Sequence, residues 1–256
     1  MSPNADADNA AVREDRLLGG RLRLAQMQQG HRAGTDAILL MAAAGQARHV
    51  VDLGSGVGTV GLGLIALGRA GRTTLVERDP VAAALARHNA SLNGVADRAV
   101  IVEADIAAGA RVQAALGLVA GMSDLVVTNP PFNTPGQHRA SPDPVRSHAH
   151  AMEPVGLAPW LKAAARLLAG RGRLVMIHRP EALPWLLPML GERFGSLGIR
   201  PVHSRPGEPA KRVLIGAVLG GKAPARLLPA LVMHQDDGRF TDAAQRLNTG
   251  DEEITL

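Results

Sequence analysis

The sequence contains no cysteine, and this absence removes several kinds of chemistry at once. Disulfide bonds, thiol nucleophiles and thiolate metal sites are all excluded. The chain also lacks any apolar run near the roughly 18 residues that a membrane span requires. Its first residues are too polar and acidic for a signal peptide. We therefore expect a protein of the reducing cytoplasm with no membrane segment.

Charge is unevenly distributed along the chain. The net charge is only +5, yet residues 160–226 hold 12 basic and three acidic residues, a local balance of +9 that leaves −4 for the remainder. Contacts between basic side chains and phosphates supply most of the affinity of proteins for nucleic acid. The uneven charge predicts a basic face for nucleic acid, with an ordinary solvated surface as the alternative.

The 256 residues, 46% of them hydrophobic, suffice for one α/β domain with a sizeable core. Short apolar runs alternate with alanine-rich helical stretches, which predicts a mostly parallel, doubly wound sheet with helices on both faces. Two later apolar runs flank a turn rich in Pro and Gly and predict an antiparallel hairpin at the sheet edge. The predicted strands are 49–53, 73–77, 99–103, 125–128, 173–178, 197–204 and 213–219, and the predicted helices are 59–67, 80–92, 107–116 and 153–168.

A glycine-rich turn, 54–58, follows the first predicted strand. Glycines let the chain turn sharply from strand to helix and let a nucleotide approach the backbone closely. The spacing also satisfies the dinucleotide fingerprint, so a nicotinamide or flavin enzyme is an alternative. Asp52, however, is expected at the lip of the turn, where a carboxylate repels a pyrophosphate but pairs with an ammonium group. A cofactor with an amino acid end and no phosphate, S-adenosylmethionine, fits this turn better.

Two more carboxylates follow the next predicted strands. Glu77 ends the second strand, where an acidic side chain can accept hydrogen bonds from both hydroxyls of a ribose. Asp105 follows the third strand, where it could accept from an adenine amino group. It could equally cap the helix that begins at Ile106.

The segment Asn129-Pro130-Pro131-Phe132 comes directly after the fourth predicted strand. It can present a fixed amide oxygen, a fixed backbone carbonyl and an aromatic face to one planar amine. Each proline excludes the helical region for the residue before it, which stiffens the turn and aims the carbonyl of Pro130. The segment therefore predicts a site that holds a nitrogen for attack on a neighbouring group.

Together, these motifs resemble the class I, Rossmann-like S-adenosylmethionine-dependent methyltransferases that modify amino nitrogens, over roughly residues 29–219. More narrowly, the segments 29–40 and 205–212 resemble bacterial enzymes that methylate N6 of adenine 37 in valine tRNA. The resemblance implies a seven-stranded sheet, bound S-adenosylmethionine and an RNA partner, most simply a tRNA. It places a methyltransferase domain at 29–222, between an N-terminal extension, 1–28, and a C-terminal extension, 223–256.

The resemblance also implies three sets of site residues. The cofactor set is Thr35, Asp36, Asp52, Gly54, Ser55, Gly56, Glu77, Arg78, Asp105 and Asn129. The catalytic set, which would hold the base, is Asn129, Pro130 and Phe132. The set expected to contact RNA is Pro131, Asn133, His138, Arg139, Arg205, Lys211 and Arg212, with 134–152 as a long loop that closes over the base. No metal site is expected, because the histidines lack metal spacing with any carboxylate pair.

Several alternatives stay open from the sequence. The amine could be guanine N2 of ribosomal RNA or a protein glutamine. A small-molecule O-methyltransferase would need a base or metal to take the hydroxyl proton, and the sequence places none near Asn129. The chain could also be a non-catalytic RNA-binding module with the same fold.

Overall fold

The computed structural model describes residues 12–28, 34–131 and 156–256. Within these ranges the chain forms eleven strands and seven α-helices. The strands are β1 (Val12–Leu17), β2 (Leu22–Met27), β3 (Ala47–Leu53), β4 (Ala70–Glu77), β5 (Ala99–Glu103), β6 (Ser123–Thr128), β7 (Leu168–His178), β8 (Phe194–His203), β9 (Ala210–Leu219), β10 (Arg226–Leu227) and β11 (Leu231–Val232). The helices are α1 (Thr35–Ala44), α2 (Thr59–Ala66), α3 (Pro80–Leu92), α4 (Ala110–Ala115), α5 (Leu157–Leu167), α6 (Leu183–Gly191) and α7 (Asp242–Thr249).

Nine of these strands form one sheet. Seven long strands lie in the order β5, β4, β3, β6, β7, β9, β8, and the short strands β10 and β11 both pair with β8. The strands from β5 to β7 are parallel to one another, whereas β9 runs antiparallel to both β7 and β8. The mostly parallel sheet with an antiparallel hairpin at its edge is therefore confirmed.

The central strands are apolar on both sides because helices cover both faces of the sheet. Val50 and Val51 of β3 are both fully buried, yet they point to opposite faces and belong to separate clusters. One cluster packs under α1, α2 and α3, and the other packs under α5 and α6. This two-sided packing fixes the strand ends at which the predicted motifs lie.

The described parts of both predicted extensions pack against this core. Strands β1 and β2 form an antiparallel hairpin, and β2 lies beside α3. After residue 223 the chain adds β10 and β11 to the sheet and then places α7 against α1. The buried Arg69 donates to the carbonyls of Gly250 and Glu252, which fixes the last residues to the domain. No helix in the described ranges has the length and apolar character to cross a membrane.

Candidate active site

Three neighbouring parallel strands end side by side in the middle of the sheet. Leu53, the last residue of β3, pairs with Val76 of β4 on one side and with Thr128 of β6 on the other. Glu77 and Asn129 directly follow these two partners, and the glycine turn directly follows Leu53. The hydroxyl of Thr128 donates to the carbonyl of Leu53 at 2.9 Å and holds the two strand ends together. The three predicted motifs therefore meet at one edge of the sheet, where ligands of such folds bind.

The glycine turn depends on backbone conformations that other residues rarely adopt. Gly54, Gly56 and Gly58 have φ angles of +71°, +55° and +88°, in the left-handed region that favours glycine. The N–H groups of Gly54 and Ser55 both donate to the carbonyl of Val76. The turn is thus anchored on β4 at its start, and three glycines are needed to form it.

The space around this turn differs from one glycine to the next. A Cβ atom at Gly54 would lie only 2.4 Å from Cη2 of Trp160, so the indole of α5 packs directly on the turn. A Cβ atom at Gly56 would meet nothing within 4 Å. Ser55, between them, is buried, and its hydroxyl has no hydrogen-bond partner in the described part of the chain. The turn is closed by Trp160 on one side and leaves open space at Gly56.

Glu77 accepts three backbone hydrogen bonds at this edge. Its carboxylate accepts from the N–H of Gly56 at 2.8 Å, of Arg78 at 2.8 Å and of Asp79 at 2.9 Å. These donors fix the carboxylate beside the turn and leave further lone pairs for ribose hydroxyls. Arg78 contributes its backbone here, and the residue as a whole is exposed.

Asp52 lies beneath the turn, whereas the sequence placed it at the lip. Only 2% of the residue is exposed, and its carboxylate accepts from the N–H of Gly61 in α2 at 2.9 Å. The reason is strand alternation, because Asp52 points to the face that α2 covers. Burial raises the pKa of the Asp52 carboxyl to about 7, the Gly61 hydrogen bond opposes this rise, and the charge of Glu77 adds to it. The side chain supports the turn from below, with little surface to offer an ammonium group.

Asp105 caps the turn that follows β5. Its carboxylate accepts from the N–H of Ala107 at 2.8 Å, so it stabilises a local turn, whereas the sequence offered a cap of a helix that begins at Ile106. The helix beyond it is shorter than predicted and begins only at Ala110. Asp105 is exposed at the same edge as Glu77, so this geometry leaves it accessible to a ligand as well.

Asn129 presents a buried acceptor without a partner. Its side-chain oxygen is buried and accepts no hydrogen bond from any residue in the described ranges. An unpaired buried polar group costs roughly 1–3 kcal/mol, so such an oxygen is a strong indication of a ligand. Pro130 is buried beside it, and Pro131 is exposed. Phe132, Asn133, His138 and Arg139, together with the predicted loop at 134–152, lie outside the described residues.

The imidazole at the neighbouring strand end was not predicted from the sequence as a site residue. His178 is the last residue of β7, the strand that pairs with β6, and it is 4% exposed. Its ring meets the indole of Trp185 edge to face, with centroids 5.8 Å apart. Burial lowers the pKa of His178, and the hydrogen bond with the backbone of Arg179 acts in the opposite direction. A neutral imidazole therefore does lie one strand away from Asn129.

An ion pair joins segments 29–40 and 205–212, the two segments that resemble the valine tRNA adenine methyltransferases. Nε of Arg212 donates to both carboxylate oxygens of Asp36, at 3.0 and 2.9 Å. Thr35, beside Asp36, is exposed at the start of α1. The sequence had assigned Asp36 to the cofactor and Arg212 to RNA, but in the described chain they hold each other. Arg205 lies 3.8 Å from Glu208, and Lys211 is exposed.

Most arginines of the basic stretch bond within the protein. Arg173 donates to the carbonyls of Ala44 and Gln46 at the end of α1, at 3.0 and 2.7 Å. Arg200 bonds to the carbonyls of Pro229 and Thr255. Four others also donate to carbonyls or carboxylates of the chain: Arg166, Arg193, Arg212 and Arg226. These hydrogen bonds fix the fold, and the guanidinium groups keep their positive charge where the partner is a neutral carbonyl. Arg193 and Arg212 instead lie beside carboxylates.

Sequence reasoning also missed Asn89, a buried carboxamide in the middle of α3. It bonds to the backbone of β2 and to the carbonyl of Val57 in the glycine turn. The available signal was an asparagine inside a helix, where this residue is disfavoured unless its side chain has a specific partner.

Comparison with known proteins agrees with this geometry. The methyltransferase small domain family matches residues 31–196. The tRNA1(Val) (adenine(37)-N6)-methyltransferase of Porphyromonas gingivalis is 34% identical over 192 residues, 72% of each chain. The enzyme of that name from Aeromonas hydrophila is 32% identical over 82% of this chain and 86% of its own. A crystal structure from Agrobacterium tumefaciens, described as a predicted O-methyltransferase, superposes with a TM-score of 0.73 at 29% identity, covering 87% of this chain and 99% of that one.

The matched region contains every element of the edge described above, from α1 through the glycine turn to Asn129 and α6. Its open glycine turn and fixed carboxylates fit S-adenosylmethionine, the cofactor of these enzymes. The chain belongs to the methyltransferase small domain family and is an S-adenosylmethionine-dependent methyltransferase.

Proposed function

We propose that this enzyme methylates N6 of an adenine in tRNA, at position 37 of valine tRNA, as its relatives are named for doing. The observation that carries the proposal is the side-chain oxygen of Asn129 at the end of β6, which is buried and has no hydrogen-bond partner among residues 12–28, 34–131 and 156–256. An exocyclic amino group supplies the donor that this oxygen lacks. A tRNA substrate also implies a cytoplasmic enzyme.

The residues of the chain act by holding and orienting the amine. The Asn129 oxygen and the carbonyl of Pro130 accept from the two N–H groups, which turns the nitrogen lone pair out of conjugation with the ring. Phe132, which lies outside the described residues, is proposed to stack on the flipped base, a contact worth roughly 1–3 kcal/mol at comparable sites. S-adenosylmethionine, when bound, supplies the methyl group on a sulfonium centre. Positioning and local electrostatics then suffice, and no general base is required.

The cofactor is proposed to lie along the open side of the glycine turn. Gly54, Ser55 and Gly56 would face it directly, and the fixed carboxylate of Glu77 would accept from the ribose hydroxyls. Asp105 would accept from the adenine amino group. Asp52 would act indirectly, because it holds the N–H of Gly61 below the turn. Thr35, Asp36 and Arg78 are proposed to contact the cofactor as well, and the ion pair with Arg212 gives Asp36 a structural task in addition.

O-methylation is the second candidate, because one observation favours it. A hydroxyl substrate needs a proton acceptor, and His178 provides a buried imidazole at the adjacent strand end. Burial lowers its pKa and so favours the neutral form that accepts a proton. Asn129 favours the amine substrate. Its side-chain oxygen has no hydrogen-bond donor among the described residues, and a hydroxyl substrate would lose its proton during the reaction and could then no longer donate to that oxygen.

One experiment separates these substrates. The protein is incubated with methyl-labelled S-adenosylmethionine and, in parallel, with total tRNA, ribosomal RNA and a release factor. A valine tRNA transcript with adenine 37 and a matched transcript with guanine 37 are added as substrate and control. We expect label on N6 of adenine 37 by nucleoside mass spectrometry and none on the guanine transcript. Label on an oxygen, or only on ribosomal RNA or the release factor, would refute the tRNA assignment.

A further inference from the structure

Asn89 of α3 and Asn93, which directly follows the last residue of α3, both bind the backbone of β2 in the N-terminal hairpin. Asn89 accepts from the N–H of Ala25 at 2.8 Å and donates to its carbonyl at 2.9 Å. Asn93, one helical turn later, does the same with Arg23, at 2.9 and 2.7 Å. Each carboxamide takes the place that a residue of a neighbouring strand would take in a sheet.

The spacing of the two asparagines matches the strand. Four residues of an α-helix rise about 6 Å, and two residues of an extended strand span about 6.7 Å. Asn89 and Asn93 therefore meet alternate residues of β2 whose N–H and carbonyl groups face the helix. This pairing fixes the position of the hairpin along α3 and satisfies the open edge of β2.

Asn89 makes one contact that Asn93 does not. Its Nδ2 also donates to the carbonyl of Val57 at 2.9 Å, and Val57 lies between Gly56 and Gly58 in the glycine turn. Asn89 is 0% exposed, and both of its side-chain donors are used. The third bond of Asn93 goes instead to the carbonyl of Asn89 within the same helix.

The three glycines at positive φ have no side chains of their own to hold the peptide groups of the turn, so these groups depend on contacts from other elements. The bond from Asn89 orients the carbonyl of Val57 and with it the following peptide group. A site that is already ordered binds its ligand with a smaller loss of conformational freedom.

We propose that Asn89 is a positioning residue that couples the N-terminal hairpin to the glycine turn and thereby sets the affinity for S-adenosylmethionine. This inference rests on the proposed placement of the cofactor at the turn. It assigns to the hairpin, which the sequence treated as an extension, a task in the cofactor site.

The test compares Asn89→Asp with Asn93→Asp. Each change replaces two N–H donors by carboxylate oxygens that face backbone carbonyls, but only Asn89→Asp affects Val57. We expect Asn89→Asp to weaken S-adenosylhomocysteine binding, measured by calorimetry, by about tenfold, the effect of one lost hydrogen bond. The KM for S-adenosylmethionine should rise in proportion, with kcat nearly unchanged. Asn93→Asp should retain the affinity of the unaltered protein.

Ala25→Pro tests the coupling from the side of the hairpin. It removes the backbone N–H that donates to Asn89, and it changes no residue of α3 or of the glycine turn. It should loosen β2 in hydrogen exchange and weaken S-adenosylhomocysteine binding, if the hairpin is coupled to the turn. Unchanged affinity in Asn89→Asp and Ala25→Pro, or equal losses in Asn89→Asp and Asn93→Asp, would overturn the proposal. Glu77→Ala is the control for cofactor placement: if it weakens binding while Asn89→Asp does not, only the role of Asn89 fails.

Discussion

Asn129 is partly buried, and its side-chain oxygen is fully buried with no partner among the described residues. If this oxygen holds the amine by a hydrogen bond only while the methyl group is transferred, removing it lowers kcat more than it weakens substrate binding. We expect Asn129→Ala to reduce kcat by about 10² to 10³, the effect of removing one preorganised polar group. The affinity for S-adenosylhomocysteine should stay within about twofold, since cofactor contacts come from other residues.

Single-turnover methylation assays and calorimetry measure these two quantities on the same preparation. Ser55→Ala is a comparison variant. The hydroxyl of Ser55 is also buried without a hydrogen-bond partner in the described ranges, but it lies in the glycine turn, where the cofactor is proposed to bind. A large loss of cofactor affinity in Asn129→Ala would contradict the role assigned to Asn129.

Asp52 makes stability depend on pH. Its pKa rises from 3.8 in the unfolded chain to about 7 in the fold, mainly because of burial. A raised pKa means that the unfolded state loses its proton first, so the folded state loses stability as pH rises from about 4 to 7. The full shift corresponds to a loss of about 4 kcal/mol at most.

Asp52→Asn retains an oxygen to accept from Gly61 and removes the ionisation. We expect its free energy of unfolding to match that of the unaltered protein near pH 4 and to exceed it above pH 7. Urea unfolding at a series of pH values gives both curves. Two parallel curves would show that Asp52 does not titrate in this window.

At the level of single elements, prediction from sequence was most accurate where burial dictates the pattern. Strand β5 and helix α3 were predicted to the residue, because apolar runs bounded by charge, and the Asp79-Pro80 start, mark them clearly. Strand β1 was missed because its sequence is mostly charged and its residues are largely exposed. Helix α6 was missed because it contains Pro184 and Pro188, which disfavour helix in a local reading.

The same distinction applies to the candidate site: positions at strand ends were predicted from the sequence, and contacts between elements were not. The glycine turn, Glu77 and Asn129 were each predicted at the end of a strand, and they lie together because parallel strands bring their ends to one edge. The burial of Asp52, the pairing of Asp36 with Arg212 and the contact of Trp160 with Gly54 were not predicted. The ion pair and the Trp160 contact join residues far apart in sequence, 176 positions for the ion pair, and no local pattern specifies such contacts. The burial of Asp52 depends instead on which face of β3 is covered by α2.

Helix α1 ends on an arginine from another element. Arg173 of β7 donates to the carbonyl of Ala44, the last residue of the helix, which lacks a partner within it, and to the carbonyl of Gln46 just beyond. We expect Arg173→Leu to lower the free energy of unfolding by about 1–3 kcal/mol. Lys222→Leu is the matched control, because Lys222 is exposed and should change stability by less than about 0.5 kcal/mol. Urea unfolding measures both, and equal effects would refute the capping role.

For the molecule as a whole, the excess of basic residues in 160–226 does not by itself identify the side chains that bind RNA. Several arginines of residues 160–226 donate to carbonyls or carboxylates of the protein itself, which restricts the directions in which their remaining N–H groups can meet phosphates. Lys211 is exposed beside the proposed site. We expect Lys211→Glu to weaken tRNA binding, to reduce the salt dependence of binding by about one counterion and to leave stability unchanged.

Arg212→Glu should behave differently, because it also places two carboxylates together at Asp36. It should weaken RNA binding and lower the unfolding free energy, and the charge swap Asp36→Arg with Arg212→Asp should restore stability but not RNA binding. Filter binding at several salt concentrations and urea unfolding separate the two effects. If Lys211→Glu leaves tRNA binding unchanged at physiological salt, this edge does not contact RNA.

The contact between Trp160 and Gly54 gives the enzyme a built-in optical reporter. Only two tryptophans are present, and Trp185 lies against His178 instead. In a Trp185→Phe variant, all indole emission would come from the ring that touches the glycine turn. Titration with S-adenosylhomocysteine should then shift or quench that emission, so occupancy could be followed in real time without any label.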